Sequence, residues 1–347
     1  MKIVHITESL GRGGAETLLV GVVNGLPNDE HFIITLSPEN AFKNTVVNAT
    51  IISLHCKPLW KLPVAILRLR RALRKIKPDV VHAHLFWSTI VAKFAVNKNK
   101  HRFFYTNHAV QSYGAFTSKY LIFLEKFTYR KWHTLISVSA AVEKDYCKYI
   151  KVTGPHFVLY NFVEDIYFNV PKANVQASPV KGVAVGRLAL QKNYPYLLDA
   201  VKQAGMPLTV DIYGVGPEKE MLQQKILADD IKNIQLKYLH PKIYEVLPQY
   251  NFFVMSSIFE GQPVSVLEAM AVGLPVVLAD IPELKEVAGD AGIYFSLSDT
   301  ANLTHILKDI AAGKINLQPY AQKSINRAAA IAKKADYLQR LTAIYMQ

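Results

Sequence analysis

Short runs of β-branched and aromatic residues alternate with stretches of helical periodicity along this chain. That order implies parallel sheets with helices on both faces. In the first half, residues 2–7, 32–36, 80–83, 102–106 and 134–138 read as strands. In the second half, 182–185, 208–213, 234–239, 252–256 and 275–279 do. Between the two sets, residues 171–179 lack any period and are bounded by prolines, which marks a linker. The expectation is α/β: two doubly wound domains, 1–170 and 171–327, and a C-terminal helix over 328–347 that packs back on the first domain.

A length of 347 residues suits two domains, and a 50% hydrophobic content supplies two cores. No apolar run approaches the roughly 18 residues that a membrane span needs. Residues 1–10 pattern as a first strand rather than a signal peptide. Cys56 and Cys147 stand alone, with no Cys-x-x-Cys, which fits a reducing cytoplasm. The net charge of +13 is uneven: residues 1–170 hold 22 Lys/Arg against 11 Asp/Glu, and the rest 18 against 16. A basic first half points to an anionic partner, whether nucleic acid, membrane surface or phosphorylated substrate.

The most informative chemistry is Glu260 and Glu268, spaced across Gly261, Gln262, Pro263, Val264 and Ser265. The first carboxylate follows a strand, Gly261 and Pro263 make a turn, and a helix from Val264 to about Gly273 carries the second. Ligands bind at that edge of open α/β sheets. Two acceptors flanking a helix N-terminus suit two hydroxylated pieces of one ligand with an anion between them, as in a nucleotide-sugar. The plain alternative is a solvated glutamate and a helix-capping one.

Three more loops add to this. Gly11-Arg12-Gly13-Gly14 follows the first strand and opens a helix, where backbone can approach a phosphate. As a dinucleotide fingerprint it is defective, because Glu16 occupies the third glycine position. Gly186-Arg187, with Lys192 shortly after, offers two cations to clamp a diphosphate. Gly214 follows the next strand. No Asp-x-Asp occurs, so no metal or cofactor is expected, and Arg187, Lys192 and the helix start would neutralise charge instead. His82, His84 and His108 near one sheet edge include no neighbouring acid or thiol, so a sugar-contacting imidazole, His108, is preferred to a metal site.

The segment from Pro63 to Lys77 is amphipathic. Ile66, Leu69, Ala72, Leu73 and Ile76 share one face; Arg68, Arg70, Arg71, Arg74, Lys75 and Lys77 cover the other, interrupted by Val64 and Leu67. Such a side suits an anionic membrane surface. A second basic and aromatic stretch, residues 119–132, points the same way; an ordinary helix packed on a sheet is the alternative.

In order, these pieces resemble the retaining glycosyltransferases of the GT-B fold, family 4. The resemblance rests on the glycine loop, His82–His84, Thr106-Asn107-His108, Tyr160-Asn161, Gly186-Arg187-Leu188 with Lys192-Asn193, and Glu260-x7-Glu268, and spans nearly the whole chain. It implies two Rossmann-like domains facing a cleft, with the acceptor domain first. Arg187 and Lys192 would hold the donor diphosphate, Glu260 the sugar and Glu268 the ribose. Gly261 to Ser265 would meet sugar and phosphate, and Gly13 and Gly14 would close over the diphosphate. His84, Asn161, Gly186 and Gly214 would join the binding set, and Leu239 would lie near the base. Glu164, Asn251, Met255 and Gln262 depart from the family's usual residues, which leaves the sugar open. The implied activity is metal-independent, retaining transfer of a hexose or N-acetylhexosamine, with UDP as the expected nucleotide. The expected acceptor is a lipid-linked or oligosaccharide precursor of a surface polysaccharide, on the inner face of the cell membrane. A sugar-nucleotide epimerase would need an acid/base set that is not visible, and a non-catalytic binder would show no turnover. Nucleic-acid binding would explain the basic half but not the two glutamates.

Overall fold

The computed structural model describes residues 1–11, 13–56, 59–109 and 119–347; Arg12 of the first glycine loop lies outside them. The chain forms two compact units, Met1–Asn161 with Ala335–Gln347, and Phe162–Lys334.

The first unit is built on seven parallel strands: β1 (Lys2–Thr7), β2 (Glu30–Thr35), β3 (Ala49–Ser53), β4 (Val80–His84), β5 (Arg102–Asn107), β6 (Thr134–Ser137) and β7 (His156–Val158). Their spatial order is β3-β2-β1-β4-β5-β6-β7. The second unit has six, β8 (Lys181–Val185), β9 (Thr209–Tyr213), β10 (Ile234–Lys237), β11 (Phe252–Met255), β12 (Val276–Ala279) and β13 (Gly292–Phe295), ordered β10-β9-β8-β11-β12-β13. Each order reverses once, between β1 and β4 and between β8 and β11. These are the two topological switch points, where crevices open at strand carboxyl ends.

Central strands are covered on both sides and therefore read as unbroken apolar runs. Phe252 and Phe253 of β11 project to opposite faces and are wholly buried; each such ring contributes roughly 1.5–3 kcal/mol by leaving water. The three strands absent from the sequence reading, β3, β7 and β13, all lie at sheet edges. Their residues are mostly half-exposed, so no continuous apolar run announces them.

Two boundaries differ from expectation. The chain enters the second unit at Phe162 rather than after residue 170. Tyr167 and Val175 are buried in that unit's core, and Lys172 Nζ donates to the carbonyls of Phe168 and Ala271 at 2.8 and 3.0 Å. The stretch 171–179 is consequently fastened rather than free: Asn251 Nδ2 donates to the carbonyl of Ala177 at 2.8 Å. At the other end, 328–347 is not one helix. Gln318–Ile331 ends in the second unit, where Ala328 and Ala332 are buried and the Val163 N–H bonds Ala332 O at 2.9 Å. A separate helix, Lys334–Met346, belongs to the first unit from Ala335 onward, with Tyr345 wholly buried there.

Candidate active site

At the second unit's switch point, β8 runs into Gly186, Arg187 and a 3-10 turn, Leu190–Lys192, while β11 runs into Ser256–Glu260. The two loops are sewn together. Ser256 Oγ donates to the carbonyl of Lys192 at 2.9 Å, Gln191 Nε2 donates to that of Phe259 at 2.8 Å, and the Ile258 N–H to that of Gln191 at 2.9 Å. This fastening brings Lys192 Nζ to 2.6 Å from Glu260 Oε1. Glu260 is buried and Lys192 mostly so. Arg187, by contrast, is exposed and makes no hydrogen bond or ion pair with the described residues. Tyr194 stands behind the pair; burial, and then the charge of Glu260, hold its phenol protonated.

Backbone approaches closely on the other side of β8. A Cβ on Gly214 would lie 2.1 Å from the carbonyl oxygen of Gly186, so no other residue fits that loop. Leu239 lies half-buried just beyond β10, against the core.

After Glu260, Gly261, Gln262 and Pro263 are buried and lead into the helix Val264–Ala271, which has no side-chain cap. Its positive end is therefore available to an anion. Gly273, at φ +87°, closes that helical segment as the pattern required. Glu268 lies on this helix with part of its side chain in solvent. Desolvation pushes its carboxyl up to about 7, although the Tyr167 phenol donates to it and opposes the shift. Tyr167 was invisible to motif reading, because only folding brings the short helix Ile166–Asn169 against Val264–Ala271.

In the first unit, Gly13 precedes and Gly14 begins the helix Gly14–Gly25 after β1. Asn161 is buried at the end of that unit's main segment. His108, just past β5, is half-exposed, and burial lowers its imidazole to about 4, so it is neutral at physiological pH. Its Nε2 is 3.3 Å from Nδ1 of His84, which is itself buried. His84 Nδ1 is thus covered by His108, while its Nε2 faces inward toward His5. His82 lies deeper still, engaged on both nitrogens by Tyr345 and Thr106.

The basic segment forms the helix Leu62–Ile76. Ala65, Leu69, Leu73 and Ile76 are buried, whereas Ile66 and Ala72 are only half-buried. Two members of its cationic side are occupied: Arg68 donates to the carbonyl of Leu54, and Arg70 to that of Phe94 at 2.7 Å. Arg71, Arg74, Lys75 and Lys77 are exposed and make no such bond with the described residues. Val64 and Leu67 are also exposed. No helix among the described residues is long and apolar enough to cross a membrane.

Residues 12–165 match the profile described as Glycosyltransferase Family 4, and residues 179–312 that of Glycosyl transferases group 1. Among relatives, an uncharacterised 41.2 kDa protein of the cps region of Klebsiella pneumoniae is 24% identical over 339 residues, 88% of this chain and 89% of that protein. The amylovoran biosynthesis glycosyltransferase AmsK of Erwinia amylovora is 28% identical over 235 residues, 61% of this chain and 55% of that protein. Among solved structures, Anabaena HepE in complex with UDP and glucose superposes with a TM-score of 0.86 at 17% identity over 100% of both chains. HepE has also been solved with UDP-glucose. The likeness shows the fold, two Rossmann-like domains of the GT-B type.

Proposed function

We propose that this chain, which belongs to the family 4 and group 1 glycosyltransferases, moves a hexose or N-acetylhexosamine from a UDP-sugar to a hydroxyl of a lipid-linked saccharide, with retention and without a metal. The observation that carries the reading is the Lys192–Glu260 pair at the β8/β11 switch point, with Arg187, which has no partner among the described residues, and an uncapped helix start. That arrangement offers cations for a diphosphate and a carboxylate for sugar hydroxyls. The choice of UDP draws on the ligands of HepE, and that of a polysaccharide precursor on AmsK and the cps-region relative.

In the reaction, the bond from the anomeric carbon to the β-phosphate oxygen breaks as a bond to the acceptor oxygen forms on the same face. The acceptor's proton passes to the departing phosphate. Charge develops on that phosphate, so Arg187 and Lys192 act where the transition state differs from the ground state. Glu260 orients the sugar. Glu268 holds the ribose, and its raised pKa lets it donate as well as accept near neutral pH. His108, neutral and half-exposed, is suited to hydrogen-bond a sugar hydroxyl.

Peripheral attachment to the cytoplasmic face of the membrane belongs to the same proposal. Beside Arg71, Arg74 and Lys75, Trp60 is 75% exposed, and on the helix Lys119–Thr128 the stacked pair Phe123 and Phe127 is 64% and 57% exposed. Amphipathic helices of this composition bind interfaces through an apolar edge and basic flanks. Thermal stabilisation against UDP-, GDP- and ADP-sugars tests the donor, because a ligand that binds only the folded state raises its stability. The anomeric configuration of the product tests retention. A shift with none of these sugars, or turnover of donor only to its epimer without acceptor, overturns the reading.

A further inference from the structure

Five histidines, His5, His31, His82, His84 and His108, gather inside the first unit, apart from the donor loops. His5 on β1 and His82 on β4 are register partners, and His84 follows two residues on, on the same face of β4. All three are buried, and one nitrogen of each lies within 4.8 Å of the others. His5 Nδ1 faces His84 Nε2 at 3.4 Å, and Tyr345 Oη lies 2.6 Å from His82 Nδ1. His5 Nε2 is buried with no partner among the described residues. A cavity of about 10 Å³ opens between these rings and Tyr345, Leu18 and Leu19. It holds about one water-sized sphere, ample for a bare ion.

We propose that His5, His82 and His84 form a structural site for a divalent transition metal of the zinc, cobalt or nickel class, linking β1 and β4 to the C-terminal helix that carries Tyr345. Metal–nitrogen bonds of about 2.0–2.1 Å set ligand nitrogens about 3.4 Å apart at tetrahedral angles, the spacing of His5 Nδ1 and His84 Nε2. Ligating histidines generally donate their outer N–H to a fixed acceptor. Thr106 Oγ1, 2.7 Å from His82 Nε2, and His108 Nε2, 3.3 Å from His84 Nδ1, stand in those places for two of the three rings, and His5 Nε2 has no acceptor among the described residues. Burial lowers the pKa of all three rings, so each is neutral, with a lone pair to give, at neutral pH. Tyr345 Oη brings an oxygen to the same cluster. The set contains no carboxylate, so Mg²⁺ and Ca²⁺, which take oxygen ligands, are excluded by chemistry. The same rings without a metal would be joined by N–H···N bonds through His5, His84 and His108, with His82 held by Tyr345 and Thr106.

Titration of the full chain with Co²⁺, followed by visible absorption and melting temperature, decides between the two. The expected result is one ion per chain with the d–d bands of a nitrogen-ligated tetrahedral site and a higher melting temperature. No thiolate charge-transfer band should appear, as Cys56 or Cys147 would give. His5→Phe and His84→Phe should each abolish the binding, the exposed His156→Ala should keep it, and Mg²⁺ should have no effect. Failure of the wild-type chain to take up stoichiometric Co²⁺, a thiolate band in its spectrum, or wild-type affinity in His5→Phe overturns the site. If a variant does not fold, the stoichiometry and spectrum of the wild-type chain decide alone.

Discussion

Lys192 Nζ lies 2.6 Å from Glu260 Oε1, across 68 residues of sequence. On the proposed reading, this pair joins the cation meant for the donor diphosphate to the carboxylate meant for the donor sugar. Arg187→Ala and Lys192→Ala should each lower kcat/KM by roughly 10²–10³-fold, the scale for removing one charge-stabilising group. Their stabilities should part company. Lys192→Ala leaves Glu260 buried without its cation and loses at most the ~3–5 kcal/mol of a fully buried pair, whereas Arg187→Ala should melt like wild type. Activity within threefold of wild type in both variants removes the phosphate-clamp assignment.

Transfer should not depend on oxygen-preferring cations. With donor charge met by Arg187, Lys192 and the start of Val264–Ala271, EDTA added at the start of the assay should leave the rate nearly unchanged, and added Mg²⁺ or Mn²⁺ should not raise it. Abolition by chelator with rescue by either ion contradicts this. Initial rates are the measure, since they are read before any slow loss of a buried structural ion.

Glu268 makes the pH behaviour specific. Its folded pKa, about 7, stands above the model-peptide value, so the folded chain holds this proton better than the unfolded one. The stability contribution is fully present below about pH 4.5 and is lost as pH rises through 7. Glu268→Gln removes that loss. The variant's melting temperature should exceed wild type by more at pH 8 than at pH 5, while its affinity for donor falls. An equal difference at both pH values refutes the raised carboxyl.

Membrane binding by the helix Leu62–Ile76 should rest on the cations that the fold leaves free. Replacing Arg71, Arg74 and Lys75 by Ser should cost about 3 kcal/mol of affinity for anionic vesicles, at about 1 kcal/mol per basic residue near the surface. Arg68→Ser and Arg70→Ser should act chiefly on stability, through lost bonds to Leu54 and Phe94. Co-sedimentation with anionic and neutral liposomes at two salt concentrations separates these effects. Equal pelleting of wild type and triple variant leaves the helix as a solvated face.

What sequence alone determines here is local. The buried strands, the βα turns at Gly186 and Gly261, the helix stop at Gly273 and the order of the motifs are readable because burial on both faces, glycine conformations and helix ends leave marks within a few residues. Edge strands β3, β7 and β13 escape because half-exposed residues carry no apolar run. What only tertiary structure decides is partnership. The reversal of strand order between β8 and β11 sets Lys192 against Glu260, and Ile166–Asn169 sets Tyr167 against Glu268. The β1–β4 pairing brings His5, from the first strand, beside His82 and His84. The spacing of residues 82, 84 and 108 gives no hint of that fourth ring, nor of Tyr345 at the far end of the chain. Contacts between distant segments depend on which strands lie side by side, and hydrophobic periodicity, being a property of each segment, does not carry that information.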